Sequence, residues 1–190
     1  MKNTLITLLA LGSLAATANA ATWYTVGTSG GTVVDDASTD WQSLPAGGGN
    51  PSALPTSGDL DTWVVQDSLR AGFANTTWNG GTTQVDGGTN YPWLGLIYLA
   101  GINVTFQDVV LNGGGINSNG HTITGNTLTV SATNGGYFGT EGGGTTTLDF
   151  DAITGSGTLT SIGIFDRRLD PGSGGGAAIA AGTDLSGFTG

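Results

Sequence analysis

The sequence predicts an all-β chain wound as a β-solenoid. Three observations lead there. Glycine supplies 36 of the 190 residues. That argues against long helices, because each interior glycine costs ~1 kcal/mol relative to alanine. From Leu94 onward, short apolar runs alternate with polar residues at period two and stop at Gly/Asn turns, the pattern of half-buried strands. Finally, Ile123-Thr-Gly-Asn-Thr-Leu-Thr returns about thirty residues later as Ile153-Thr-Gly-Ser-Gly-Thr-Leu-Thr, and periodic return is what a solenoid requires. A β-sandwich or jelly roll built from ordinary hairpins is the alternative.

Residues 1–20 have the three parts of a secretory signal peptide. Lys2 supplies the positive start. Leu5 to Ala16 is apolar except for Thr7, Gly12 and Ser13. Ala18-Asn19-Ala20 is a small-x-small cleavage site, which places the mature start at Ala21. The apolar run is shorter than the ~20 residues a membrane span needs. The chain is therefore expected to be exported, to the cell surface, the medium or the periplasm, without an integral membrane segment after processing.

Residues 21–95 form the expected irregular β cap. All five tryptophans (Trp23, Trp41, Trp63, Trp78 and Trp93) lie there. Residues 42–59 are rich in Pro, Gly, Ser and Asn and read as a surface loop. Asp61-Thr-Trp-Val-Val-Gln reads as a strand. Residues 96–165 are the expected solenoid, about three coils, near the minimum for independent stability. Its inward side chains include Ile102, Val104, Phe106, Val109, Leu111, Ile116, Ile123, Leu128, Val130, Leu148, Phe150 and Ile153. Threonine suits the outer faces and glycine the corners. Residues 166–190 are expected to be a loosely ordered, glycine-rich and truncated tail. An open solenoid end of this kind is expected to self-associate.

Asp61-Thr-Trp-Val-Val, Val109-Val-Leu-Asn-Gly-Gly-Gly-Ile and Gly155-Ser-Gly-Thr-Leu-Thr resemble segments of secreted bacterial proteins with autotransporter-associated β-strand repeats. Gly182-Thr-Asp-Leu-Ser-Gly-Phe-Thr-Gly resembles the start of another such repeat. The resemblance spans residues 59–190. It implies a right-handed parallel β-helix like the passengers of bacterial surface proteins. The chain lacks the translocator barrel and sorting tag of such proteins, which suggests a fragment or a short relative.

Composition narrows the functional classes. Without Lys2 the balance is three arginines against 14 acidic residues. Nucleic acids and anionic membranes require Lys/Arg patches, so neither is an expected partner. The absence of cysteine excludes disulfides, thiolate zinc sites and cysteine nucleophiles.

Few constellations point to chemistry. Asp149 and Asp151 share one strand face at ~6.5–7 Å, a spacing open to a metal or a glycosidase pair. The simpler reading is a solvated face beside buried Leu148 and Phe150. Asp35, Asp36 and Asp40 form an acidic cluster without the spacing of an EF-hand or a calcium β-roll. His121, the only histidine, lies in Asn119-Gly-His-Thr without a serine elbow. Asp35-Asp36, Gly120-His121 and Arg167-Arg168 follow the order of pectin-degrading β-helices, but the flanking motifs are missing. The five tryptophans, Trp41 and Trp78 foremost, are candidate sugar-stacking platforms, although tryptophans more often fill a core. Asn75 and Asn103 head chance sequons. No catalytic set and no cofactor is assigned. The leading expectation is a non-catalytic structural or adhesive protein whose partners are extracellular glycans or other surface proteins. The alternative is a carbohydrate-binding or carbohydrate-cleaving β-helix using Asp149, Asp151, Trp41 and Trp78.

Overall fold

The computed structural model describes residues 20–26, 32–34, 40–45, 49, 52–66, 69–73, 75–87, 95–99, 101–140, 144–162 and 175–190. Most of the leader, including Ala18, lies outside the described residues, as do Asp35, Asp36, Trp93, Arg167 and Arg168. Ala20 is exposed.

Among the described residues the secondary structure is strand, with no α-helix. The strands are β1 (Thr22–Thr25), β2 (Thr32–Val34), β3 (Trp41–Gln42), β4 (Thr62–Val65), β5 (Arg70–Gly72), β6 (Thr82–Asp86), β7 (Leu96–Tyr98) and β8 (Val104–Thr105). They continue with β9 (Asp108–Asn112), β10 (Gly115–Asn117), β11 (Thr122–Val130), β12 (Gly136–Gly139), β13 (Gly144–Gly155), β14 (Leu159–Ile162) and β15 (Gly175–Ile179). Helix is disfavoured by the density of glycine and β-branched residues.

Two sheets are built. One runs β3-β1-β4-β6-β9-β11-β13-β15, with β8 also paired to β11. The other runs β2-β5-β7-β10-β12-β14. Every strand pair is parallel except β1 with β3. The chain crosses from one sheet to the other and returns, and apart from β3 and β8 the returning strands lie parallel to the last in the ladder, about 4.8 Å away. A parallel partner needs a crossover rather than a tight hairpin, which the passage through the opposite sheet supplies.

The register aligns side chains in columns. Trp23, Trp63, Thr83, Val109, Leu128 and Ile153 stand side by side in the first sheet. Val65, Val85, Leu111 and Val130 form the next inward column. Ala71, Ile97, Ile116 and Phe138 form the matching column of the second sheet. Val104, Ile123, Leu148 and Ile179 line a third stretch of chain. Except for Trp23 and Ile179, the members of these columns are buried, and most belong to a single core cluster. Outward neighbours are polar, as in Thr22, Thr62, Thr82, Asp108 and Thr127. Thr129 and Thr154 bring their hydroxyls to 3.1 Å on that outer surface.

Corners use side chains as well as turns. Gln84 Nε2 and Asn112 Nδ2 donate to Asp86 Oδ1 at 2.8 and 2.9 Å. Asn134 Nδ2 donates to Asn112 Oδ1 at 2.8 Å, extending the chain of amides over three rungs. Asn119 (φ 49°) and Gly120 (φ 87°) turn the chain before β11 in the left-handed region that asparagine and glycine tolerate.

Three expectations need adjusting. The parallel ladder does not begin near residue 96, because β1, β4 and β6 already stand in it. Backbone pairing is indifferent to whether the inward position holds Trp, Thr or Val, so the uneven pattern there hid it. The similarity between residues 123–129 and 153–160 does not set the register. Ile123 lies beside Leu148, and Ile153 lies beside Leu128. The tail is not loose from residue 175 onward. β15 pairs with β13 from Gly144↔Gly175 to Leu148↔Ile179, and bridges Ala152↔Asp184 and Gly155↔Phe188 continue it. Glycine and alanine supply ladder hydrogen bonds without needing a side-chain pattern, which is why no alternation announced this strand.

Candidate functional site: a tryptophan and aspartate depression

The first rungs enclose an aromatic cluster. Trp63 meets Trp41 and Trp78 edge-on, with ring centroids 5.2 Å apart in both cases. Trp41 and Trp78 stack at 5.6 Å. Phe73 meets Trp78 at 5.2 Å and Phe106 at 4.9 Å, both edge-on. Edge-to-face pairs of this kind are worth ~0.5–1.5 kcal/mol beyond their burial. Trp41 reaches the cluster through β3, the short antiparallel strand on the outer edge of β1. Gly80 makes room for it. A Cβ there would lie 2.6 Å from both Trp63 Cδ1 and Trp78 Nε1.

Two aspartates orient the indoles of Trp63 and Trp23. Asp59 Oδ2 accepts from Trp63 Nε1 at 2.9 Å, and its Oδ1 accepts from the Asp61 backbone N–H at 3.0 Å. Asp61 Oδ2 accepts from Trp23 Nε1 at 2.8 Å, and its Oδ1 accepts from the Ala21 N–H at 2.7 Å. Hydrogen bonds to an ionised acceptor are about twice as strong as neutral ones, so both ring planes are held firmly. Trp78 Nε1 instead donates to the buried Thr83 hydroxyl at 3.1 Å.

Above this framework the surface is concave. One depression of about 240 Å³ is lined by Trp23, Ala53, Leu54, Pro55, Thr56, Asp59, Asp61 and Trp63. A second, of about 320 Å³, is lined by Leu54, Pro55, Asn75, Thr76, Thr77, Trp78 and Asn79. Leu54 and Pro55 are common to both, so the two adjoin. They sit at successive corners: residues 59–61 lead into β4 and residues 75–79 approach β6. Gln107 braces the second one, donating to the Asn79 carbonyl at 2.9 Å.

The residues singled out from the sequence fall in different places. Trp41 is fully buried, and its indole serves the core rather than a surface platform. Trp78 is 4% exposed and forms part of the floor of the larger depression. Asp149 and Asp151 are exposed on β13, flanking buried Phe150, and Asp149 stands beside Thr124. They lie on the outer sheet face and do not line the depression with the tryptophans. His121 sits in the turn, where its backbone N–H donates to the Ser118 hydroxyl and carbonyl, both at 3.0 Å. Ser118 Oγ lies 2.9 Å from buried Thr146 Oγ1, which donates to the Gly139 carbonyl. The Asn103 carboxamide accepts from the Thr122 N–H at 2.9 Å, bridging neighbouring rungs. Asp59 and Asp61 were not selected from the sequence, and Trp23 only as one of five candidate tryptophans. The available signal was Asp59-Leu-Asp61-Thr-Trp63, two acids alternating ahead of a tryptophan.

No protein-family model, curated protein or solved structure matches the chain. Among the described residues, no three His, Cys, Asp or Glu side chains converge as a metal site requires. Among them, too, no helix is long and apolar enough to cross a membrane.

Proposed function

We propose that the chain is an exported, non-catalytic β-solenoid, a structural or adhesive element of the cell surface or surrounding medium. The observation that carries this reading is the column Trp23–Trp63–Thr83–Val109–Leu128–Ile153, one inward position held through six rungs by parallel pairing. Such stacking presents a long surface of rigid polar strands, and exterior threonines keep it hydrated. The acidic balance of 14 Asp/Glu against four Lys/Arg suits contact with neutral or cationic surfaces rather than nucleic acid. The three-part pattern of residues 1–20 supports export, and the resemblance to autotransporter-associated repeats supports the surface assignment.

The test is expression of the full chain in a Gram-negative host, with N-terminal sequencing and a cell-adherence assay. The expected product is found outside the cytoplasm, begins at Ala21, and increases retention of cells on a polysaccharide-coated surface. A cytoplasmic product that keeps residues 1–20 would overturn the export proposal. Exported product with unchanged retention would overturn the adhesive one.

A further inference from the structure

We infer that the paired depressions beside Pro55 are a binding site for an uncharged oligosaccharide. The inference goes beyond the scaffold reading and stands independently of it. The smaller depression offers the half-buried Trp23 and two carboxylates, Asp59 and Asp61. Each carboxylate already accepts two N–H bonds. A carboxylate has about four lone-pair sites, so each retains acceptors for ligand hydroxyls. The larger depression adds the carboxamides of Asn75 and Asn79, which both donate and accept.

The half-buried indole of Trp23 beside carboxylate acceptors, with amides in the adjoining depression, matches a sugar, which has apolar C–H faces and a rim of hydroxyls. Neither lining contains Lys or Arg, and two aspartates are present, so an anionic sugar is repelled. The two depressions share Leu54 and Pro55, so a short glycan lying across them contacts both. At about 320 and 240 Å³ they are open and small, which suits one or two sugar rings rather than an enclosed ligand.

The experiment is calorimetric titration of the full chain with cellohexaose, xylohexaose and mannohexaose, and with hexagalacturonate as the anionic control. At least one neutral hexamer is expected to bind and the galacturonate to bind at least about tenfold more weakly. Asn75→Ala/Asn79→Ala is expected to weaken the neutral sugar about tenfold or more. Thr76→Trp, which places bulk in the larger depression from an exposed position, is expected to abolish binding without changing the thermal midpoint. Asp149→Asn/Asp151→Asn, on the outer sheet, is expected to bind as the parent does. The inference is overturned if no neutral hexamer binds, if hexagalacturonate binds equally well, or if both depression variants bind like the parent.

Discussion

The two halves of the stack solve the same packing problem with different side chains. In the rungs up to β6 the interior is aromatic: Trp41, Trp63, Phe73 and Trp78 touch one another edge-on or stacked. In the rungs from β9 onward it is largely aliphatic, with Val109, Leu111, Ile116, Ile123, Leu128, Val130, Leu148 and Ile153 fully buried or nearly so. An aliphatic column repeats at one size, so rung follows rung with short corners. Indoles are large, and Trp23 and Trp63 find their N–H acceptors outside the strands, so the aromatic half recruits extra chain, although the buried Trp41 N–H meets no acceptor among the described residues. β3 brings Trp41, and the segment before β4 brings Asp59 and Asp61. The surface depression is a by-product of that extra chain. The functional candidate therefore sits where packing is least regular.

This contrast can be broken most directly by removing one member of the shared column from each half. Trp63→Ala deletes the hub of the cluster and strips Asp59 of its indole donor. Its expected cost is about 4–5 kcal/mol, at the upper end for core aromatic truncation. Leu128→Ala, at the same column position three rungs on, is expected to cost about 3 kcal/mol. Guanidinium denaturation followed by far-ultraviolet dichroism measures both. Equal losses would mean that the two interiors are energetically interchangeable, and the comparison would fail.

The same contrast explains what could be read from the sequence. Alternation from Val104 to Phe106 and from Leu148 to Asp151 announced the aliphatic strands, because period-two burial marks each residue as in or out. The all-β character and the buried positions of Leu148 and Phe150 followed. The aromatic half was opaque. Its strands β1, β4 and β6 carry Trp23, Trp63 and Thr83 at one inward column, and no single hydropathy pattern joins those three. Register was also illegible. The similarity of Ile123-Thr-Gly and Ile153-Thr-Gly is real, yet parallel pairing aligned Thr127-Leu-Thr with Ala152-Ile-Thr instead. Similar segments occupy different stretches of successive rungs, and local sequence does not record which. The depression was missed for a related reason: Asp59 and Asp61 act on indoles whose burial only the stack determines.

A smaller perturbation tests how the halves are joined. Asn112 accepts from Asn134 in the aliphatic half and donates to Asp86 in the aromatic half. Asn112→Ala removes both bonds at a partly exposed corner, and about 1 kcal/mol is expected to be lost. A double-mutant cycle with Asp86→Ala isolates the link. A coupling energy near zero would mean that the corner amides do not tie the halves together, and that the backbone ladder alone does so.

The smallest expected effect lies at the last described turn, far from the aromatic cluster. Asp184 carries the only side-chain charge among residues 175–190. Its carboxylate accepts from the Ser186 backbone N–H at 2.8 Å, and from the Ser186 hydroxyl. These bonds favour the ionised form and lower its pKa below the ordinary 3.8. A carboxyl lowered on folding adds stability above its unfolded pKa and loses it as pH falls through the folded value. The turn is therefore expected to hold at neutral pH and to loosen only below pH 3.8. Carbon-13 titration of the Asp184 carboxyl, with exchange of the Ser186 amide, reads this directly. Asp184→Asn keeps an acceptor for the Ser186 N–H and cannot titrate, so its amide exchange should show no step in this window beyond the intrinsic acid dependence. A carboxyl midpoint at or above 3.8 in the parent would show that the turn gives the ionised form no advantage. The aliphatic half would then hold its last residues by backbone pairing, through bridges Ala152↔Asp184 and Gly155↔Phe188, and by the packing of Phe188 against the core.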